Sequence, residues 1–200
     1  MILSFVHTKG GVGKTTSSVF LACAAAAAGR AVTLLDADPQ GSASSWADRA
    51  AHRGTPLRFP VLPVSAADLA ATAARCNSLG GLVVIDTPPG TAAVIDAAVD
   101  AADLVVIPSA AAPADIDRVW PTLDMTTHRA TAVLLTDVDL RTALAADVPA
   151  HLRGAGAPVL GTVVRRRQAI TEAFGSRPDR LWDYADVYAE IVAAMSEVGA

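Results

Sequence analysis

The amino-acid sequence predicts an α/β protein built on a single doubly wound, mostly parallel sheet with helices on both faces. Short apolar runs rich in β-branched residues alternate with longer helical patterns along the 200 residues, which is the order expected of parallel strands joined by crossover helices. Hydrophobic residues make up 52% of the chain and charged residues 18%, so a packed core is expected rather than disorder. Because no linker, repeat or charge run divides the chain, one domain over residues 1–200 is expected.

The expected strands are short apolar runs that end at turn or acidic residues. They lie at Ile2–Val6, Ala31–Leu35, Leu57–Val64, Leu82–Ile85, Leu104–Ile107, Ala130–Leu135 and Val159–Val164. Leu57–Val64 is the weakest of these patterns, and Pro108 is expected to end the strand that begins at Leu104. A count of about seven or eight strands suits one doubly wound domain.

The expected helices carry apolar residues at helical spacing. They lie approximately at Lys14–Ala28, Gly41–Ala51, Ala66–Asn77, Thr91–Ala101, Asp115–Thr126 and Arg141–Leu152. Gly29 ends the first of them, and helical patterns fill the chain after Val164 as far as Met195.

Composition excludes several classes of protein. Cys23 and Cys76 are isolated, so a disulfide framework, a zinc site or an iron–sulfur site is not expected. The formal net charge of −4 restricts any DNA contact to a local patch. The longest apolar run, Val19–Ala28, is about half as long as a membrane helix, and Met1–Val6 lacks the basic leader of a signal peptide. A cytoplasmic protein with no membrane partner is therefore predicted.

A glycine-rich segment at residues 9–16, Lys-Gly-Gly-Val-Gly-Lys-Thr-Thr, separates the first strand from the first helix. Successive backbone N–H groups and the helix N-terminus at such a turn bind phosphate. Lys14 is expected to reach the β- and γ-phosphates of ATP, and the Thr15 hydroxyl to ligate Mg²⁺. The residues of this loop expected to bind ATP or ADP are Lys9, Gly10, Gly11, Val12, Gly13, Lys14, Thr15 and Thr16.

The lysine content supports a role for two positions of this loop. The chain has 16 basic residues, and only Lys9 and Lys14 are lysines. In a chain so rich in alanine and arginine, arginine stands wherever either cation serves. The two retained lysines therefore indicate positions that need a compact ammonium on a flexible stem.

Two further strand ends carry carboxylates. Asp36 and Asp38 follow the second strand, and Asp86 follows Leu82–Ile85. Because the carboxyl ends of parallel strands meet at one edge of the sheet, these side chains are expected next to the phosphate loop. An aspartate that ends a buried strand is the Walker B arrangement, which holds Mg²⁺ directly or through water.

The loop departs from the standard phosphate-loop pattern, because Thr8 stands at the first glycine position and Lys9 precedes Gly10. This variant resembles the deviant Walker A motif of the ParA/MinD family of ATPases. Nearly the whole chain is similar to that family, and most of all to its small plasmid-partition members. The resemblance implies that Lys9 reaches across an ATP-bound homodimer to the phosphates of the other subunit. It also implies that the loop beginning at Pro108 lines the adenine pocket.

The acidic segments are similar to two switch regions of the same family, switch I at Asp36–Gly41 and switch II at Asp86–Gly90. The resemblance implies that Asp38 orients the attacking water and that Asp36 bonds a Mg²⁺-bound water. It implies further that Gly90 offers a backbone N–H to the γ-phosphate. The catalytic residues predicted in this way are Lys9, Lys14 and Asp38, the nucleotide contacts outside the loop are Asp86, Gly90 and Pro108, and the metal ligands are Thr15, Asp36 and Asp86.

The densest basic cluster is Arg165–Arg167. Arginine patches neutralise phosphates without reading sequence, and ParA-type ATPases bind nonspecific DNA through this region. The resemblance therefore assigns DNA contacts to Arg165 and Arg167, with one of them facing the nucleotide as the alternative. The last helix, Asp183–Ala200, has no basic residue, which argues against the membrane-binding helix of MinD-like proteins.

The leading hypothesis from the sequence is a nucleoid-associated switch for plasmid or chromosome partition, in which a ParB- or ParG-like centromere-binding partner stimulates ATP hydrolysis. The first alternative is the same machine positioning a protein cargo, such as a carboxysome or chemoreceptor cluster, through a cargo adaptor. A metabolic P-loop ligase or kinase and a nucleotide-binding scaffold without turnover are the remaining alternatives.

Overall fold

The computed structural model describes residues 1–198, the last of them through its backbone alone. Within those residues the chain forms a six-stranded sheet with all pairings parallel and the order β3-β2-β4-β1-β5-β6. The strands are β1 Ile2–Phe5, β2 Val32–Asp36, β3 Val61–Pro63, β4 Leu82–Asp86, β5 Leu104–Ala110 and β6 Thr131–Thr136. The predicted α/β fold with a parallel sheet is confirmed.

Helices cover both faces of this sheet. They are α1 Lys14–Ala27, α2 Ser42–His52, α3 Ala66–Ser78, α4 Ala92–Ala101, α5 Pro113–Ile116, α6 Val119–Met125, α7 Leu144–Gly154, α8 Gln168–Glu172 and α9 Tyr184–Val198. One apolar core joins α1, α2 and α9 to the sheet, and a second joins α3 and α4 to the other face. None of the helices in residues 1–198 is long and apolar enough to span a membrane.

The strand register places the site. β1 lies in the middle of the sheet, between β4 and β5, and its residues are buried. Phe5 is paired with Asp86, and Asp36 is paired with Asp86 from the other side. Three neighbouring strands therefore end at one level, and the loop after β1 lies beside both aspartates.

The prediction that Pro108 ends β5 is wrong, because the strand continues to Ala110. Pro108 pairs with Leu134 of β6. The backbone of Val106 faces β1, as its carbonyl accepts the N–H of Val6 at 3.0 Å. Residue 108 faces the same side two positions later, where β1 has already ended. The missing N–H of proline therefore costs the sheet no hydrogen bond.

The predicted strand Val159–Val164 is also not formed as a strand. The segment runs beside β6 but makes only isolated parallel bridges. In its middle, the N–H groups of Gly161 and Thr162 donate to the carboxylate of Glu190 on α9, at 2.5 and 2.8 Å. Because a carboxylate takes these two donors, the segment leaves the ladder there.

Three helical predictions differ from the structure. Asp115–Thr126 is divided into α5 and α6, because Pro121 has no N–H for the carbonyl four residues earlier. The helix predicted from Arg141 begins at Leu144, after a turn in which the Arg141 side chain is bound by Asp139. Residues 173–183, expected to be helical, form a loop instead. Residues 199 and 200, included in the predicted last helix, lie outside the described residues.

The hydrogen bonds that Gly161 and Thr162 donate to the Glu190 carboxylate lead to a prediction. Replacing Glu190 with alanine leaves two backbone N–H groups without their acceptor, so we expect the free energy of unfolding to fall by about 1 to 2 kcal/mol. Urea unfolding followed by circular dichroism measures the loss. Glu197→Ala is the matched control, since Glu197 is exposed on the same helix. Equal effects of the two substitutions would show that these hydrogen bonds do not stabilise the fold.

Candidate nucleotide-binding site

The phosphate loop is held in a curled conformation by its glycines. Gly11 and Gly13 have φ angles of +77° and +90°, which side chains rarely tolerate. The Lys14 ammonium donates to the Lys9 carbonyl at 3.0 Å and so closes the loop, while Val12 is buried beneath it. The loop therefore presents its backbone N–H groups at the start of α1 without rearrangement.

Lys14 lies beneath this loop and is 6% exposed. Burial lowers the pKa of its ammonium, and the negative charges of Asp86 and Asp38 oppose that effect. No carboxylate oxygen of the described residues lies within 4.0 Å of this ammonium, and a buried cation needs an anionic partner to be stable. Phosphate at the loop would supply that partner.

Asp86, at the end of β4, is fully buried. Its Oδ1 accepts a hydrogen bond from the Ser18 hydroxyl at 3.2 Å, whereas its Oδ2 has no partner within residues 1–198. Burial raises the pKa of this carboxyl to about 7, and the charge of Asp36 adds to the effect, while the hydroxyls of Thr15 and Ser18 oppose it. An orphaned carboxylate oxygen beside a threonine hydroxyl is a donor set that fits Mg²⁺.

The Asp36 carboxylate accepts hydrogen bonds from the first turn of α2. Its Oδ2 accepts hydrogen bonds from the backbone N–H and the hydroxyl of Ser44 at 2.8 and 2.7 Å, and its Oδ1 accepts a longer bond from the Asp38 N–H at 3.3 Å. These contacts fix the helix that follows switch I. The predicted bond from Asp36 to a metal-bound water stays a prediction, with Oδ1 as the less occupied atom.

One cleft, of about 370 Å³, joins the phosphate loop to Asp38. Its wall includes Gly10, Gly11, Gly13, Lys14, Thr15, Thr16, Asp38 and Thr87. Asp38 is half-buried, and one of its oxygens accepts the N–H of Gln40 at 2.9 Å. The second oxygen is free to bond a water molecule in the same cleft as Lys14 and Thr15.

Switch II packs against the loop from the other strand. The Thr87 hydroxyl donates to the Phe5 carbonyl at 2.7 Å, which ties switch II to the end of β1. Gly90 has a φ of +69° and lies over the Thr8 carbonyl, next to the phosphate loop. Its predicted contact with the γ-phosphate stays a prediction.

A second cleft, of about 280 Å³, opens on the other side of the loop. It shares Gly11, Gly13 and Thr16 with the first, and it is lined further by Ala110, Thr136, Arg165, Arg167 and Tyr184. Tyr184 stacks on Phe20 and shares a hydrogen bond with the Ser17 hydroxyl. A nucleotide with its phosphates in the first cleft has room for its base in the second. The predicted adenine contact, Pro108, lines neither cleft, and Ala110 stands there instead.

Arg165 and Arg167, predicted to bind DNA, face this second cleft. Both contact the buried carboxylate of Asp183: Arg165 donates from its Nε at 2.8 Å, and the Nε of Arg167 lies 3.8 Å away. Burial raises the pKa of Asp183, but the hydrogen bonds and charge of Arg165 outweigh it and hold the pKa below its ordinary value. Arg167 also lies over the Trp182 ring, 4.6 Å from its centroid. The alternative noted from the sequence, an arginine that faces the nucleotide, stays a prediction.

Lys9 is placed differently from Lys14. Its ammonium contacts Asp115, its side chain is 43% exposed, and it lines neither cleft. Its backbone N–H donates to the His7 Nδ1 at 3.0 Å. Burial lowers the pKa of His7 to about 4, so the neutral imidazole accepts this bond at physiological pH.

Three residues of the site were missed by the sequence analysis. Ser18 bonds Asp86, Asp183 binds two arginines, and the Thr136 hydroxyl donates to the Val12 carbonyl at 3.2 Å. Thr136 could have been predicted as a site residue, since it ends a strand at the same edge of the sheet. Ser18 lies one turn after Lys14 on α1, but a serine inside an alanine-rich helix is no specific signal.

Comparison with known proteins agrees with this site. A family model described as the CobQ/CobB/MinD/ParA nucleotide binding domain matches residues 3–177. The chain is 40% identical over 179 residues to the maintenance of carboxysome distribution protein A of Gloeobacter kilaueensis, a match covering 84% of this chain and 78% of the relative. It is 31% identical over 207 residues to the chromosome-partitioning ATPase Soj of Thermus thermophilus, covering 86% and 83%. A solved putative plasmid partition protein of Borrelia burgdorferi, bound to AMPPNP, superposes with a TM-score of 0.73 at 18% identity over 98% of each chain.

The parallel sheet and its glycine-rich phosphate loop define a P-loop nucleotide-binding protein. The chain belongs to the CobQ/CobB/MinD/ParA family. It is an ATPase of the ParA/MinD type.

The orphaned oxygen of Asp86 leads to a prediction. Replacing Asp86 with asparagine removes the charge that a divalent ion would use, so ATP affinity measured with Mg²⁺ should fall by about 10- to 100-fold. Affinity measured in EDTA should change little, because the loop and Lys14 remain. Titration calorimetry under both conditions tests this, with Asp100→Asn as the control because Asp100 is exposed on α4. Equal losses with and without Mg²⁺ would argue against a metal role.

Proposed function

We propose that this ATPase is a Mg²⁺- and ATP-dependent positioning switch that distributes a protein cargo over nonspecific DNA. The active form is a homodimer that encloses two nucleotides. The dimer binds the cell's DNA nonspecifically, and its protein partner is an adaptor attached to the cargo. Hydrolysis, stimulated by the adaptor, releases the dimer from DNA.

The position of Lys9 carries the dimeric part of this proposal. Lys14 closes the loop from below, whereas Lys9 projects from its rim to Asp115. This ammonium lies exposed at the rim, and by leaving Asp115 it can reach the phosphates of a second copy. The need for two different lysines in one loop follows, since each serves a different nucleotide.

The chain's own residues divide the work of hydrolysis. Lys14 offsets the negative charge that grows on the phosphates in the transition state. Asp38 holds the attacking water in the cleft that also contains Thr15 and Lys14. Thr15 and Asp86 would hold Mg²⁺, which would draw negative charge from the phosphate oxygens. Positioning and electrostatics supply the whole catalytic effect, since no side chain needs to form a covalent bond.

The choice of cargo rests on the relatives. From the sequence alone, DNA partition is the leading hypothesis and protein cargo the alternative. The similarity to a carboxysome distribution protein at 40% identity exceeds that to the partition ATPase Soj at 31%, so it favours protein cargo. DNA partition is the second candidate on the strength of Soj. The likeness to a cobyrinic acid a,c-diamide synthase of Mycobacterium smegmatis, at 20% identity, shows the fold alone and gives a metabolic ligase no support.

The cargo is tested in the source cell. Labelled carboxysome-like compartments and labelled plasmid, imaged with the gene present and with it deleted, show which of the two is mispositioned without this protein. Clustered compartments with stable plasmid inheritance support protein cargo. Plasmid loss with evenly spaced compartments would replace it by DNA partition.

Two substitutions test the switch. Lys14→Ala should abolish ATP binding, because the phosphate loop loses its buried cation. Asp38→Ala should keep ATP binding and dimerisation yet slow hydrolysis by about 100-fold or more, since the attacking water loses the carboxylate that positions it. Phosphate release and size-exclusion chromatography with ATP measure these effects, and Asp48→Ala is the control because Asp48 is exposed on α2. Full stimulated turnover in Asp38→Ala would show that another residue handles the water.

Lys9→Ala separates the dimeric switch from an ordinary phosphate-loop enzyme. The variant should bind ATP with nearly normal affinity and remain a monomer in size-exclusion chromatography, because Lys9 lines neither cleft of its own subunit. Lys9→Arg should also fail to dimerise, since a planar guanidinium does not replace a compact ammonium at a phosphate. An ATP-dependent dimer of Lys9→Ala would contradict the proposed role.

A further inference from the structure

Each arginine of the basic run has a carboxylate oxygen within 4.0 Å. Arg165 and Arg167 share Asp183, Arg166 is paired with Asp137 at 2.9 Å, and Arg141 is paired with Asp139 at 2.7 Å. Four arginines thus face three aspartates. A guanidinium engaged by a carboxylate must break that pair before it binds a phosphate, which weakens its attraction for DNA.

Ten other arginines have no carboxylate oxygen of the described residues within 4.0 Å of a guanidinium nitrogen, and five of these ten come from neighbouring segments. These five are Arg49, Arg53, Arg58, Arg177 and Arg180. They come from α2, from the segment before β3 and from the loop before α9. We call these five residues the arginine strip.

Contacts through Phe174 and its neighbours make the strip continuous. The Arg49 guanidinium lies 5.6 Å from the centroid of the Phe174 ring, and Arg53 donates to the Phe174 carbonyl at 3.1 Å. Arg177 donates from its backbone N–H to the Thr55 carbonyl at 3.2 Å, two residues beyond Arg53. The ends of α2 and of the loop are therefore joined side by side.

The strip continues along two clefts. Arg58 and Arg177 line one cleft of about 250 Å³ at the end of α1, and Arg177 and Arg180 line the adjoining one, of about 340 Å³. The acidic residues that line these clefts are Asp179 and Glu172, and Glu172 already accepts a hydrogen bond from Gln168 at 2.6 Å. The arginines outnumber these acids, so the surface is locally positive on a chain whose net charge is −4.

We propose that the arginine strip, and not the run Arg165–Arg167, holds the phosphate backbone of nonspecific duplex DNA. The inference rests on the DNA binding included in the proposed function. Unpaired guanidinium groups in a continuous row neutralise successive phosphates without reading base sequence. The hot spots of protein–protein interfaces are enriched in tryptophan and tyrosine as well as arginine. Among the described residues of the strip's surroundings, Phe174 at 40% exposure is the one large exposed apolar side chain.

Arg58 and Arg180 are the residues to test. Arg58 makes no side-chain hydrogen bond within residues 1–198, and Arg180 contacts only the Trp182 ring, at 5.4 Å. The double variant Arg58→Gln/Arg180→Gln should therefore fold normally and bind DNA more weakly. The slope of log affinity against log salt should fall by about two, because two phosphates are no longer neutralised by the protein.

Fluorescence anisotropy with a labelled duplex of mixed sequence, in ATP and Mg²⁺, measures this. Arg141→Gln/Arg166→Gln is the matched control, since it removes two exposed arginines that are paired with aspartates, and it should keep the slope of the wild type. Arg58→Lys/Arg180→Lys should restore binding, because the charges return. The thermal unfolding midpoint of each variant verifies the fold.

The outcomes separate the inference from the proposed function. If the wild-type protein fails to bind DNA in the presence of ATP, both the DNA binding in the proposed function and the role of the arginine strip are overturned. DNA binding that survives in Arg58→Gln/Arg180→Gln but is abolished in Arg141→Gln/Arg166→Gln would overturn the strip alone. A loss that the lysine variant does not restore, or tighter binding to polyglutamate than to duplex DNA, would also count against it.

Discussion

The register of three neighbouring strands determines the chemistry of this protein. Because β1, β4 and β2 are parallel and in step, Phe5, Asp86 and Asp36 end at one level of the sheet. The chain leaving β1 must turn there into α1, and Gly11 and Gly13 allow the turn. The phosphate loop, the Asp86 carboxylate and switch I are consequently held together by backbone pairing. Their side chains add to an arrangement that the sheet has already fixed.

That arrangement leaves charged groups only partly satisfied. Lys14 and Asp86 are both buried, and Asp86 keeps one oxygen without a partner. A half-satisfied buried network destabilises the folded chain, and the raised pKa of Asp86 expresses that cost. Phosphate and Mg²⁺ are the groups that would complete it. The site therefore gains from its ligands the stability that the chain alone does not provide, as expected of a preorganised nucleotide site.

What the sequence predicted well depends on local chemistry. Lys14, Thr15 and the aspartates at strand ends are specified by residue type and spacing, and the structure places them around one cleft and the buried carboxylate behind it. Features set by distant partners were not predictable. Gly161 and Thr162 leave the sheet because Glu190 captures them. Pro108 is tolerated inside β5 because β1 ends before it reaches the level of that residue. Nothing in the sequence indicates that Arg165 has an acidic partner. The structure shows that its guanidinium donates to the Asp183 carboxylate.

The pairing of arginines also bears on how a nucleotide switch acts on a distant surface. α2 begins beside Asp38, where Ser44 is bound to Asp36, and it carries Arg49 and Arg53 near its other end. The Trp46 indole donates to the Ser176 carbonyl at 2.7 Å, so the same helix is fastened to the loop that leads to Asp183 and the second cleft. A displacement of switch I would therefore move a helix that is bound to the loop before α9 and that leads to the arginine strip. Arg165 and Arg167 are held by Asp183 at the second cleft, whereas the arginine strip has no carboxylate partner among the described residues and is suited to an external polyanion.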